Sequence, residues 1–501
     1  MSSLTKKRTL AFLALWLLCA FLLPPFAAAD EAPGGEKSAL SAESFLLNRG
    51  SYADGSRYEN PESQVKIVRV GLRYEDTAAY EAELENLSGG GFAFGYYDAE
   101  RNFVEQERCN DSRIMVIGYG ENPLWHILLN DSFDTPEEAA QTAAFYGGEV
   151  MRLGERERVY FGAYWKWDDA FKAIRDGELG ARPFTDYAPE LRVLSLGDSR
   201  VVFRPEDPYA ELAVLPLAES GEALTAFRDE VYRGGFAFRV FENDRLTVIN
   251  AVPLEDYVKG VIPYEMDPQW PIEALRAQAV CARTYAVYNQ DGFPQYGFDL
   301  TDNTESQVYK GCREASAATD LAAESTAGQL IRYRGEICEI YYFAADGGST
   351  EDGANVFRTE RPYLCGKRDP FEATVAYPLQ SWEVRYDGAQ IAERLQRRGY
   401  EIGTVAELLP EYSETGNVIA LTFRDEQGRT LRLEGRPCYT ALRLNSCHFS
   451  LSREGDAFVF TGGGLGHSCG MSQWGAYAMA LNFGCDYEDI IRFYYTGVYI
   501  A

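Results

Sequence analysis

Strand patterning recurs along this chain but is interrupted by two adjacent helices, and this interruption limits the fold more than any other feature. Residues 253–261 and 271–289 read as the helices. In the second, Ile272, Leu275, Ala279, Ala282 and Ala286 recur at helical spacing and mark a core-facing stripe. Before the pair, residues 65–70, 91–97, 201–203, 235–240 and 246–250 read as strands. After it come strands at 329–333 and 336–343, a helix at 389–398 and a hairpin joining 418–423 to 429–433. A helix of small residues at 470–482 and an apolar segment at 490–495 close the chain. The whole is an α+β fold, and 501 residues allow more than one core.

One block has a different rhythm. Residues 125–129 form a short apolar strand, and Asp134-Thr135-Pro136-Glu137-Glu138 is a helix start with a cap, a first-turn proline and early acids. That helix runs to Tyr146 and stops at Gly147-Gly148; a strand at 158–163 and a helix at 166–176 repeat the pattern. An inserted α/β unit accounts for this order. The pattern also resembles a SPOR domain, whose family binds glycan strands stripped of their peptides.

Lys6, Lys7 and Arg8, the apolar run 9–23 and Ala27-Ala28-Ala29 read as an export signal. The run is shorter than the roughly 20 residues of a spanning helix, so cleavage is the first reading; left uncleaved, residues 9–29 would be a membrane anchor. Residues 30–61, rich in Gly, Ser, Glu and Ala, read as a linker. A net charge of −28 excludes a phosphate-backbone binder, so no nucleic acid partner is expected. Outside Cys19 in the signal, nine cysteines with irregular spacing and no CxxC pair do not make a disulfide framework; most read as small buried hydrophobes.

Three segments carry chemistry. In Pro263-Tyr264-Glu265-Met266, a carboxylate follows a helix among Pro263, Tyr264, Met266, Pro268 and Trp270. An apolar setting there would raise its pKa, as a general acid on a glycosidic oxygen requires; a solvated acid in a turn fits the same letters. On the next helix, Arg283 sits at the edge of the apolar stripe, with Gln278 near it. A guanidinium there needs an anionic or multi-acceptor partner: Glu265, another acid, or a substrate carboxylate. In the run from Gly462 to Gly475, Gly466 and its neighbours let backbone approach a ligand. His467 lies among small residues, and Ser472-Gln473 begin a helix. His467 and Cys469 alone are too few for a zinc site, so no metal and no cofactor is expected.

These segments resemble the stage II sporulation protein D and amidase-enhancer family. The resemblance rests on 246–250, Pro253-Leu254-Glu255-Asp256-Tyr257, Gly260 to Met266, and Ala274 to Ala286 with its Arg283-Thr284-Tyr285. It continues in Gly347-Gly348-Ser349-Thr350-Glu351-Asp352 and in Gly466-His467 with Gly470 to Ala476. Sporulation members are lytic transglycosylases that cut denuded glycan after an amidase has removed the stem peptides. The family's catalytic acid falls on Glu265, and Gln278, Arg283, Tyr285, Gly466, His467, Ser472 and Gln473 fall on its substrate-binding side. Where those members carry a Cys-x3-His-Cys zinc site, Thr301, Glu305 and Ser306 stand here, and Phe343 replaces a common His.

The resemblance thus implies an extracytoplasmic enzyme that cleaves peptidoglycan glycan strands beside a partner amidase. Glu265 would protonate the glycosidic oxygen and then take the proton of the 6-hydroxyl as a 1,6-anhydro ring closes. The alternatives are a non-catalytic activator of an amidase and a muramidase that uses water. The expected organisation is a signal or anchor (1–29), a linker (30–61), a β-rich region (62–110), a SPOR-like domain (111–185) and the family's catalytic domain (186–501).

Overall fold

The computed structural model describes residues 42–47, 65–119, 125–153, 156–164, 167–177, 179–185, 190–205, 210–241 and 245–501. The export signal, and the linker apart from a short helix at Ala42–Leu47, lie outside them. The fold is α+β, in two compact units, each built from several stretches of chain.

One unit comprises residues 62–265 and 286–320. Its frame is two antiparallel-rich sheets. The larger runs in the order Leu300–Thr301, Ile67–Arg73, Arg245–Pro253, Gly235–Phe241, Leu212–Ala218, Gly89–Tyr97, Phe103–Cys109. The smaller runs Val201–Phe203, Glu190–Ser195, Arg113–Tyr119, Glu81–Asn86, Thr225–Phe227, Glu230–Tyr232. Phe94 stacks on Phe203 at 5.2 Å and Phe227 meets Phe236 edge-on at 5.8 Å, so the inner faces share one aromatic core. The β-rich region expected at 62–110 is therefore not separate from the chain after 186: Ile67 pairs with Pro253 and Val70 with Asn250. Local patterning marks strands but not distant partners, which is why that boundary was misplaced.

The inserted block is a four-stranded sheet, ordered Glu149–Leu153, Arg156–Tyr164, Trp125–Leu129, Ala181–Thr185, with helices Pro136–Tyr146 and Trp167–Asp176. Its chain order is β-α-β-β-α-β. Thr135 caps the first helix by accepting from the Glu138 N–H, and Gly147 ends it at φ +64°. Ala139 and Ala143 of that helix pack with Leu129, Val159 and Phe161. The block starts at Trp125 and not at 111, because Arg113–Tyr119 belongs to the sandwich and pairs with Glu190–Ser195 (Tyr119 opposite Glu190).

The other unit comprises residues 266–285 and 321–501, together with the helix Ala42–Leu47. Its larger core gathers Trp382, Ile391, Leu395, Phe423, Leu442, Phe449 and Phe460 between the sheets Trp382–Asp387/Ala457–Gly462/Phe449–Glu454 and Val405–Tyr412/Val418–Asp425/Thr430–Glu434. The expected hairpin at 418–433 is present (Phe423 opposite Leu431). The helix Ile272–Tyr288 differs from the single stripe read from sequence: Ala274, Leu275, Ala277 to Thr284 and Ala286 are all buried, so it is enclosed on every side. Its Cys281 thiol touches Met471 Sδ at 3.9 Å and the Tyr495 hydroxyl at 3.6 Å. The nine cysteines from Cys109 to Cys485 are free thiols.

Candidate active site

Glu265 is the last residue of the helix Leu254–Glu265, which runs four residues past the end at Val261 read from sequence and accommodates Pro263. Its carboxyl is half-buried, and Oε1 accepts the Val308 N–H at 3.1 Å. Residues 307–311 run alongside this helix and hold it in several places. Gln307 donates to the Tyr257 hydroxyl at 2.9 Å, Tyr309 donates to Asn250 at 2.7 Å, and Tyr309 stacks on Tyr257 at 5.1 Å. Gly260 makes this approach feasible, since a Cβ there would lie 2.5 Å from the Tyr309 ring. Tyr264, half-buried, has its hydroxyl pushed up to about 12 by burial, then by the Glu230 and Glu314 charges.

Thr301, Glu305 and Ser306 lie at a strand end and in the turn that follows it. Ser306 Oγ accepts the Thr301 N–H at 3.1 Å, and Asn303 Oδ1 accepts the Glu305 N–H at 2.9 Å. The turn is held by its own hydrogen bonds.

The other expected site residues lie in the second unit. Arg283 is fully buried, and its guanidinium donates to the carbonyls of Ala323 (3.1 Å) and Gln329 (3.4 Å) and to the Thr326 hydroxyl (3.5 Å). These acceptors, two carbonyls and a hydroxyl where sequence suggested a carboxylate, come from the last turn of the helix Ala317–Ser325 and from the turn after it. Gln278 is also fully buried, and neither its amide oxygen nor its nitrogen has a partner. Tyr285, on the same helix, keeps some exposed surface.

His467 corrects an expectation. Sequence placed it among small flexible residues, whereas its ring packs against Phe357 (5.0 Å), Phe343 (5.2 Å) and Tyr341 (6.0 Å). Burial, then the Arg436 charge, pushes its pKa down to about 3, with the Tyr342 backbone pulling weakly the other way. Nδ1 accepts the Cys469 N–H at 3.2 Å, which puts the ring proton on Nε2. The glycines beside it admit protein backbone: Gly470 is at φ +83°, and a Cβ there would lie 2.0 Å from the Tyr341 carbonyl oxygen. Ser472 caps the helix Gln473–Phe483 through the Gly475 N–H (3.1 Å) and donates to Glu372 at 2.5 Å. Ser472 and Gln473 are both buried, so Ser472's hydroxyl is spent inside the fold. In the matched segment 347–352, Glu351 is likewise internal, accepting from Ser413 (2.6 Å), Thr415 (2.8 Å) and Asn355 (2.8 Å).

Sequence reading missed two features. Trp270, Trp474, Tyr477 and Tyr377 form a half-buried aromatic group, with Trp270 4.7 Å from Trp474 and Tyr377 stacked on Trp474 at 5.7 Å. Trp474 and Tyr477 share one helix, but Trp270 and Tyr377 are far from it in sequence and nothing local brings the three segments together. The second is a set of buried acids, Asp346, Asp369 and Glu372. Burial and one another's charge raise Asp346 well above the usual carboxylate range and raise Glu372 too.

The family model for stage II sporulation protein matches residues 242–333, the stretch that carries Glu265, Gln278, Arg283 and residues 307–311. An uncharacterized protein of Brachyspira hyodysenteriae is 35% identical over 54% of this chain and 72% of its own length. Stage II sporulation protein D of Bacillus subtilis is 31% identical over 50% of this chain and 76% of its own. The amidase enhancer of Bacillus subtilis is 29% identical over 48% of this chain and 39% of its own.

Proposed function

Because the chain belongs to the stage II sporulation protein D family, we propose that it is a lytic transglycosylase, working outside the cytoplasm, that cuts the bond between N-acetylmuramic acid and N-acetylglucosamine. Its substrate is peptidoglycan glycan stripped of peptides, and Glu265 is its acid. The observation that carries this reading is the mooring of Glu265: the carboxyl ends a helix locked by residues 307–311, and Oε1 is fixed by the Val308 N–H. A carboxyl held this way delivers its proton from one geometry.

The protonated carboxyl gives its proton to the glycosidic oxygen, and the C1–O bond breaks with oxocarbenium character. N-acetylglucosamine leaves with a free 4-hydroxyl. The carboxylate then removes the proton of the muramic 6-hydroxyl, whose oxygen bonds to C1, which closes the 1,6-anhydro ring and restores the acid. No water enters, so no second carboxylate is needed, in contrast to two-acid hydrolysis. Tyr285, Gly466 and His467, which keep accessible surface, are proposed sugar contacts, with His467 neutral. Arg283, Ser472 and Gln473, being buried, would act by holding the backbone around them, whereas Gln278 is enclosed with both its amide atoms unpartnered. The rings of Trp270, Trp474 and Tyr477 offer faces for sugar stacking.

The inserted sheet is proposed to bind the same denuded strands. On the sheet face opposite Val159 and Phe161, which pack with the helix Pro136–Tyr146, His126 meets Tyr160 at 5.1 Å and Tyr160 meets Phe184 at 5.9 Å. A partner amidase would supply the substrate. Among the described residues no helix is long and apolar enough to cross a membrane.

Peptide-free glycan strands, incubated with wild type and with Glu265→Gln, test the reaction by product mass. Anhydro-muramic ends from wild type, reduced at least about 100-fold in the variant, are expected. Products heavier by one water would replace this mechanism with hydrolysis. Similarity to an amidase enhancer supports a second reading, activation of an amidase. If neither protein cuts and both stimulate an amidase equally, that reading stands instead.

A further inference from the structure

Asp346, Asp369 and Glu372 come from a turn and a nearby loop of one unit, and one carboxylate oxygen from each lies within 4.8 Å of the others. Their exposures are 0, 3 and 0%. The donors around them are almost all accounted for. Glu372 Oε2 accepts the Asp346 N–H (2.8 Å) and the Ser472 hydroxyl (2.5 Å), and Oε1 accepts the Gly347 N–H (2.9 Å). Asp369 Oδ1 accepts the N–H groups of Phe371 (2.7 Å) and Glu372 (3.1 Å), and Oδ2 accepts the Tyr494 hydroxyl (2.5 Å). Asp346 Oδ1 accepts the Gly348 N–H at 2.6 Å, but Asp346 Oδ2, also buried, has no donor.

Among the described residues no lysine or arginine side chain is bonded to any of the three acids. Lys367, two residues before Asp369, spends its ammonium on the Phe493 carbonyl (2.5 Å) and the Thr496 hydroxyl (3.0 Å). Three buried carboxylates so close together cannot all stay ionised without compensating positive charge. Oxygen-only donors suit a hard cation and not zinc or copper. A site closed to water favours an ion that accepts a full set of protein oxygens over one that retains its water shell, which is calcium over magnesium.

We propose that Asp346, Asp369 and Glu372 bind one calcium ion, with Asp346 Oδ2 as its otherwise unpartnered ligand. The site is independent of glycan cleavage by Glu265. It ties the turn at 346–348 to residues 369–372 and, through Ser472, to the start of the helix Gln473–Phe483. Bound calcium would therefore stiffen the segments that carry Trp474 and Tyr377.

The test uses the full chain, stripped with a chelator and titrated with calcium chloride alone by calorimetry and thermal melting, with magnesium chloride as a parallel arm. One calcium per chain and a rise in melting temperature of several degrees are expected in wild type. Asp346→Asn is nearly isosteric, and its amide can donate to the neighbouring acids. It is expected to melt at or above metal-free wild type and to lose the calcium response. Absence of calcium binding by wild type at millimolar concentration would overturn the proposal and leave shared protons as the compensation. So would an unchanged calcium shift in Asp346→Asn. An equal or larger magnesium response would overturn the calcium assignment. Asp369→Asn, read by wild-type-like circular dichroism and loss of the same shift, keeps the test valid if Asp346→Asn fails to fold.

Discussion

His467 shows how a side chain is reassigned once its neighbours are known. With its pKa at about 3 against an ordinary 6.5, it stays neutral in the folded chain while an unfolded histidine takes up a proton. The unfolded state therefore binds more protons between those two values. The stability this residue contributes is complete above about pH 6.5 and is lost as pH falls toward 3. In thermal melts, the drop in melting temperature from pH 7 to pH 4.5 should exceed that of His467→Phe by at least about 3 °C, roughly 1 kcal/mol for a unit of this size. Parallel curves for the two proteins would contradict the aromatic enclosure as the cause. Arg283 was legible in part: its helical phase signalled a guanidinium needing acceptors, but those acceptors are carbonyls at 323 and 329. No sequence motif advertises a carbonyl, because every residue has one.

At the level of elements, the strands and helices with strong local periodicity were readable, such as Trp125–Leu129, Pro136–Tyr146 and the hairpin around 418–434. The helix around Glu265 was readable to within a turn. What was not readable came from pairing at a distance. Arg113–Tyr119 looked like the start of the inserted block, yet its partner is Glu190–Ser195, past the block's far end. The acids at 346, 369 and 372 sit in loops without period, so only the fold brings them together. The insertion's geometry makes a prediction at this scale. Since Tyr119 pairs with Glu190, replacing residues 120–189 by a two-residue Asn-Gly turn would join two strands already adjacent. The shortened protein should retain a cooperative melt and cleavage of short peptide-free glycans, while co-sedimentation with long denuded strands should fall several-fold. Loss of the cooperative melt would show that the block supports the sandwich.

For the whole molecule, the chain passes between the two units at 265/266, 285/286 and 320/321. Neither unit is a single stretch of sequence, and the enclosed helix Ile272–Tyr288 is what residues 321–501 lack when cut away. Expressed alone, residues 321–501 should give no cooperative thermal transition, because Cys281 would be missing from its place between Met471 and Tyr495 and the carbonyls at 323 and 329 would lose Arg283. A sharp, reversible melt of that fragment would refute this dependence.

The pairing of Ile67–Arg73 with Arg245–Pro253 also sets a clock. During synthesis the first of these strands must wait unpaired while more than 170 residues are added, about 9 to 35 seconds at ordinary elongation rates of 5–20 residues per second. Through that interval the nascent chain carries open strand edges rather than a finished sandwich. Such a chain is still threadable through a narrow export channel, and it is also the form most exposed to sticking to its neighbours if release is delayed.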